Sequence, residues 1–326
     1  MRNPLACFSI DGEEAFRRQA MEVFRYQSMH IPVYKAYLEA IRVDPEKVKQ
    51  WEDIPYLPVS FFKTHAICEE GATADVIFSS SGTTGQIPSR HRVADIRIYE
   101  QSFLKAFELF YGDIREYCLL ALLPSYLERK GSSLVFMTER LIRESRHEDS
   151  GFYMHQYEQL AEVLKRQRDK KQRTILLGVS YALLEMAEKF PMDFPELIVM
   201  ETGGMKGKRQ EMIREDLHEL LRRGFNVPHI HSEYGMTELL SQAYSKGEGK
   251  FQCPPWMKIR IREINDPFAY VPNGATGGIC ITDLANLHSC AFIAVEDIGR
   301  IDADNHFEVL GRFDTSEHRG CNLMYF

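Results

Sequence analysis

What most constrains this chain is an alternation of short apolar runs and amphipathic helical stretches over roughly its first 250 residues. Residues 117–123 are apolar without interruption, and Thr174–Val179 is nearly so. Such runs predict strands buried on both faces. Between and around them lie helical periodicities. A stretch starting near Asp95 puts Ile98, Tyr99, Phe103, Ala106, Phe107 and Phe110 on one stripe. Residues 156–167 form another, and Ser180 is placed to cap the helix after the strand Thr174–Val179. Further strands are expected at 74–78, 196–200 and 227–231, with a helix over 208–223. Near the start, Asp11 and Glu14 have capping-box spacing ahead of Phe16, Ala20, Val23 and Phe24 on one helical face. Strands alternating with helices imply a mostly parallel sheet, whose ligands sit at the carboxyl ends of the strands.

After residue 250 the pattern changes. Residues 256–264 alternate, 278–282 and 291–295 are short strand candidates, and Asp304-Asn305 signals a turn between extended segments around Ile301 and Phe307. The expected fold class is therefore α/β, with mostly parallel sheets flanked by helices and a small antiparallel β subdomain. The expected division is an α/β body of two packed subdomains over 1–250 and a β-rich part with a C-terminal tail over 251–326.

With 326 residues, 44% of them hydrophobic, the chain can bury a sizeable core and is not of the disordered class. No apolar run approaches the roughly 18 residues of a membrane span, and the N-terminus lacks the apolar segment of a secretory signal. A net charge of −7 argues against a nucleic-acid footprint, and the basic run over 165–173 reads as a solvated helix end. Seven cysteines, an odd count with no CxxC pair, suggest neither a disulfide framework nor a zinc knuckle, and fit a reducing cytoplasm. His229 and His231 share a strand face, but no third ligand at metal spacing accompanies them, so they read as strand histidines.

Two loops carry chemistry. Ser80-Ser81-Gly82-Thr83-Thr84-Gly85 follows a strand and precedes a helix. Six small residues in a row expose backbone N–H groups and hydroxyls that can wrap phosphate oxygens. The loop lacks the Gly-Lys-Ser/Thr ending of a Walker A motif. The second loop, Ser232-Glu233-Tyr234-Gly235-Met236-Thr237-Glu238, also follows a buried strand. It offers an aromatic face, a hydroxyl and a carboxylate suited to Mg²⁺ beside phosphates.

In this order and separation, the two loops resemble those of the adenylate-forming superfamily of acyl-CoA synthetases, firefly-type luciferases and peptide-synthetase adenylation domains. Three further segments agree: Glu201-Thr202-Gly203-Gly204, Glu296-Asp297-Ile298-Gly299-Arg300 and Gly311-Arg312-Phe313-Asp314. The resemblance implies the large body of those enzymes. It implies ATP as cofactor, with Ser80 to Gly85 around the β- and γ-phosphates and Glu238 on Mg²⁺. Thr237 would contact the α-phosphate or the acyl carboxylate. Tyr234, within Glu233-Tyr234-Gly235, would stack on adenine beside Gly203 and Gly204. Asp297 would hold the ribose hydroxyls, and Arg312 would also reach the nucleotide. Where the superfamily usually has a lysine after the phosphate loop, this sequence supplies Arg90. The small C-terminal lid with its catalytic lysine is expected to be absent, and Lys206 is a candidate for the missing cation.

Pro58-Val-Ser-Phe-Phe-Lys63, the Ser232–Glu238 loop and the ending Ser316-Glu-His-Arg-Gly-Cys-Asn-Leu-Met324 are similar to the acyl-protein synthetases of the bacterial bioluminescence fatty-acid reductase complex, the LuxE family. That resemblance implies activation of a fatty acid as acyl-AMP and transfer to Cys321, which Arg319 would help ionise, with an acyl reductase as partner. The alternatives are a ligase passing the acyl group to CoA or a carrier protein, and a nucleotide-binding scaffold that no longer catalyses.

Overall fold

The computed structural model describes residues 5–80, 87–124, 131–203 and 212–313. Its framework is a 12-stranded sheet, in which a parallel half and an antiparallel half are hydrogen-bonded into one continuous surface. The parallel half runs β5 (Gly151–Phe152), β4 (Cys118–Leu122), β6 (Thr174–Val179), β7 (Ile198–Thr202) and β8 (Ile230–Tyr234). Every residue of β4 and β6 is buried, as the unbroken apolar runs require. The sheet turns antiparallel at β9 (Ala243–Ser245) and continues through β10 (Phe251–Gln252), β14 (Phe307–Arg312), β13 (Phe292–Ile301), β12 (Gly277–Asp283) and β11 (Met257–Arg262). The α/β fold class with a small antiparallel part is thus as expected, but that part extends the main sheet rather than forming a separate layer. A two-stranded ribbon, β2 (Val76–Ser79) and β3 (Arg90–Val93), stands apart and bears the Ser/Gly loop.

Helix placement follows the periodicity closely. The helix α4 (Ile96–Tyr111) is capped by Asp95, whose side chain accepts from the Arg97 N–H, and all six residues of the expected stripe are buried. Three helix starts differ from expectation, one being that of the helix expected over 208–223, which runs Arg214–Phe225 with Ile213 at its N-cap. The first helix, α1 (Glu13–His30), has Gly12 rather than Asp11 at its N-cap, with no side-chain cap bond, although Phe16, Ala20, Val23 and Phe24 are buried as the spacing requires. Ser180 is the first residue of the helix Ser180–Lys189 rather than its cap, and its hydroxyl serves the next strand instead.

The N-terminal segment is bound into the antiparallel half. After α2 (Pro32–Ala40) and two 3-10 turns, β1 (Leu57–Pro58) pairs in parallel with the start of β13, and α3 (Phe61–Thr64) follows at once. Phe292 on β13 sits among the rings of Phe24, Tyr34 and Tyr56, each with its centroid 6.2 Å away. The buried amide of Gln27 donates to the carbonyls of Asn286 and Leu287 at 2.8 Å and accepts from Ala291 N–H at 3.0 Å. One core cluster therefore joins α1, α2 and the antiparallel strands, and a second fills the space around β4, β6 and β7.

No helix among the described residues is long and apolar enough to cross a membrane. The Phe292 contacts lead to a prediction: Phe292→Ala costs about 3–5 kcal/mol of unfolding free energy, measured by chemical denaturation. A loss below that range would mean that the N-terminal helices pack only loosely on the sheet.

Candidate active site

The site is built at the carboxyl ends of β6, β7 and β8, where an open parallel sheet leaves a crevice. Here Ser180 reaches across to β7, its hydroxyl 3.3 Å from Glu201 Oε2 and 3.1 Å from the Gly203 carbonyl. Gly203 has φ of 69°, a left-handed conformation that glycine adopts without strain. Glu201 is buried beneath this turn. Burial alone would raise its pKa, but His218, Arg214 and Ser232 outweigh it and hold the carboxyl below its ordinary value.

Tyr234 and Asp297 meet across the sheet. The Tyr234 hydroxyl donates to Asp297 Oδ2 at 2.7 Å, while Arg312 Nε lies 3.1 Å from Asp297 Oδ1. The pairing of β13 with β14 sets Asp297 opposite Arg312, so the register itself makes this ion pair. Burial raises the Asp297 pKa, and Arg312 and Tyr234 counter it. The Tyr234 ring stands edge-on to Phe251 and Phe307, with centroids at 5.8 and 5.4 Å. Three residues expected around one nucleotide, Tyr234, Asp297 and Arg312, thus form a single cluster joined by a hydrogen bond and an ion pair.

The turn after β8 is held from below. His91 on β3 contacts the Thr237 carbonyl through Nδ1 at 2.8 Å and the Asn286 amide oxygen through Nε2 at 3.0 Å. Asn286 in turn donates to the Glu238 carbonyl at 2.8 Å. Burial drives the His91 pKa down to about 4, against both contacts, which favour the charged ring. Next along the chain, Asp283 Oδ2 accepts from the N–H groups of Leu240 and Ser241 at 2.8 and 3.0 Å, and its Oδ1 takes the Ser241 hydroxyl at 2.5 Å. Such a set of donors fixes the turn as firmly as a helix cap fixes a helix end.

Glu238 points into a buried position, only 5% exposed. Burial raises its pKa, against a hydrogen bond from Ser89 and the charges of Arg312 and Lys63. Among the described residues it has no ion-pair partner within 4 Å. One buried carboxyl without a bonded cation suits a divalent ion that keeps phosphates and waters as its other ligands. Ser80 closes the base of the Ser/Gly loop: its N–H donates to the Ser89 carbonyl at 3.0 Å, and its hydroxyl accepts from the Ser89 N–H at 2.9 Å. Ser89 therefore lies against both Ser80, at the base of the Ser/Gly loop, and Glu238. Arg90, the next residue, is exposed on β3.

Not every expected residue joins this site. Adjacent strand residues face opposite sides of a sheet, so Glu233 turns away from Tyr234. It accepts from the Thr202 hydroxyl at 2.5 Å, on the face that bears His231, whose Nδ1 meets the Tyr111 hydroxyl at 3.1 Å. Gly235 makes room for this, because a Cβ there would lie 2.5 Å from Glu233 Oε1. Ser81, Gly82, Thr83, Thr84, Gly85, Gly204, Lys206 and Cys321 lie outside the described residues. Sequence reading missed His91, Asn286, Asp283, Ser180 and Thr202. Their partners are distant in the chain, and only Asp283, a lone charge at the end of the apolar strand β12, stands out locally. Asp302, Asp304 and His306 converge at the β13–β14 turn, where Asp302 accepts from the N–H groups of the other two and serves the turn itself.

Burial and the neighbouring Glu201 raise the Glu233 pKa to about 7, while the Thr202 bond opposes them. A folded-state pKa above the unfolded value means that the native state loses stability as pH rises from about 4.5 to 7. Glu233→Gln keeps the shape and the Thr202 bond and has no proton to lose. Its stability advantage over wild type is expected to grow from nil near pH 4.5 to about 3 kcal/mol above pH 7. Thermal melts across that range check this; a pH-independent difference would contradict a buried, protonated Glu233.

No protein-family model matches the chain, and no curated protein matches it in sequence. Solved structures do match. An open form of 2-hydroxyisobutyryl-CoA ligase, in complex with 2-HIB-AMP and CoA, aligns with a TM-score of 0.68 at 13% identity over 93% of this chain and 70% of its own. The same ligase in its thioesterification state gives 0.68 at 14% identity over 93% and 68%. ATP-bound MatB from Rhodopseudomonas palustris gives 0.58 at 16% identity over 75% of this chain and 49% of its own. The chain thus spans about half the length of MatB and about two thirds of the other ligase. These likenesses establish the fold: a mixed α/β sheet body like the large part of adenylate-forming ligases.

Proposed function

We propose that the chain is an ATP-dependent adenylating enzyme that activates a carboxylic acid, a fatty acid on the sequence resemblance, as acyl-AMP, and then carries the acyl group on Cys321 for an acyl reductase. The observation that carries this reading is the cluster of Tyr234, Asp297 and Arg312 beside the Gly203 turn, with Glu238 at the base of the Ser/Gly loop. Together these groups supply what a nucleotide requires: a carboxylate for ribose hydroxyls, a guanidinium for phosphate, an aromatic face and, in the sequence, a loop of small residues.

In the first half-reaction a carboxylate oxygen of the acid bonds to the α-phosphorus of ATP, and the bond from that phosphorus to pyrophosphate breaks. Positioning and charge neutralisation dominate such steps. Thr237, whose carbonyl is held by His91, would contact the α-phosphate or the carboxylate, and Arg312 the nucleotide. Mg²⁺ held by Glu238 would offset phosphate charge. In the second half-reaction a thiolate attacks the acyl carbonyl and AMP leaves, the thiol proton passing to solvent. Burial pushes the thiols of Cys7, Cys118, Cys280 and Cys290 up to about 12, so they are poor nucleophiles at neutral pH. Burial likewise raises the Cys253 thiol. Cys68 and Cys321 remain as acceptors, and the Arg-Gly-Cys-Asn ending favours Cys321.

A second reading has its own support: the structural neighbours named above are CoA ligases, so the acyl group would pass from AMP to CoA or to a carrier protein. The two readings separate in one experiment. The protein is incubated with ATP, Mg²⁺ and a series of labelled acids. Label that survives denaturation, is released by hydroxylamine, persists in Cys68→Ser and is lost in Cys321→Ser supports the acyl-enzyme. Full labelling of Cys321→Ser removes that cysteine, and label that moves only to added CoA favours the CoA ligase. ATP binding without pyrophosphate release for any acid would instead favour a non-catalytic scaffold.

A further inference from the structure

The segment Pro58–Lys63 has no role in the chemistry above, yet the fold holds it at the site. β1 lies on β13 in the register Leu57↔Ile293 and Pro58↔Ala294, and the Val59 N–H donates to the Ala294 carbonyl at 2.9 Å. This brings α3 beside Glu296 and Asp297. Phe62 is buried with its ring edge-on to His91 at 5.6 Å, and His91 is the residue that holds Thr237. Both attachments position α3 so that Lys63 reaches Glu296, whose other carboxylate oxygen lies near Arg312.

Lys63 Nζ lies 3.7 Å from Glu296 Oε1, beyond hydrogen-bond distance, and its side chain is 34% exposed. The other oxygen of Glu296 lies 3.6 Å from Arg312 Nη2. Lys63 and Arg312 are the two cations whose charge favours the ionised form of Glu238. They are not equivalent. Arg312 is committed to Asp297 at 3.1 Å, whereas Lys63 has a long, half-open ion pair of a kind that adds little stability. An ammonium on a flexible stem, which donates no hydrogen bond among the described residues, can change partners at little cost.

We propose that Lys63 is a catalytic residue of adenylation, its ammonium leaving Glu296 to contact the joined α-phosphate and carboxylate oxygens as acyl-AMP forms. This rests on the adenylation reading. No proton is exchanged: Lys63 stays protonated while the new P–O bond forms and the bond to pyrophosphate breaks. Its charge offsets the repulsion between an anionic acid and an anionic triphosphate, where a preorganised charge counts most.

The test is acid-dependent ATP–pyrophosphate exchange by the full chain, comparing wild type with Lys63→Met and Lys63→Arg. The result expected is a fall of about 100-fold in kcat for Lys63→Met, with KM for ATP little changed and most of the rate restored in Lys63→Arg. A mere strut to Glu296 would leave kcat intact. Wild-type kcat in Lys63→Met, or a loss confined to KM, overturns the assignment while leaving adenylation standing. Wild type that exchanges with no acid overturns both.

Discussion

The carboxylate of Asp297 is the joint on which the site depends. One oxygen takes the Tyr234 hydroxyl from the parallel half of the sheet, and the other takes Arg312 from the antiparallel half. The buried Asp297 and the half-buried Tyr234 would be costly to desolvate alone; they satisfy one another, and the exposed Arg312 offsets the carboxylate charge. Because the backbone register of β13 and β14 sets Asp297 opposite Arg312, strand order and site geometry are a single arrangement. The start of β13 also receives β1, so the N-terminal segment is tied to the strand that carries Asp297.

Beneath the joint lies a buried polar layer that controls the turn of Thr237 and Glu238. His91 on β3, and Asp283 and Asn286 at the end of β12 and just after it, converge on the backbone of residues 237 to 241. Gln27 of α1 then fixes the loop that carries Asn286. The turn is therefore supported from α1, β3 and β12 at once, and its position follows from the packing of the whole antiparallel core.

Much of this was legible in the sequence, for definite physical reasons. Continuous apolar runs such as residues 118–122 can only be interior strands, and the six-residue stripe of α4 can only be one buried face. The loop motifs stood out because small residues next to hydroxyls and carboxylates have few structural uses. What escaped was set by contacts distant in sequence. Glu233 was grouped with Tyr234 because they are neighbours in the motif, but strand alternation sends its carboxyl to Thr202 on the other face. Asp11 and Ser180 had the composition of caps, yet Gly12 opens α1 and Ser180 bonds to Glu201 and Gly203 instead. The continuity of the sheet through β9 and β10 depends on two strands of three and two residues, too short to show a period.

The most direct measurement is a crystal structure of the protein with AMP and Mg²⁺. The account predicts adenine between the Gly203 turn and Tyr234, ribose hydroxyls within hydrogen-bond distance of Asp297, and the phosphate facing Thr237 and Arg312. Nucleotide bound elsewhere on the molecule, with the bonds among Tyr234, Asp297 and Arg312 undisturbed, would contradict it.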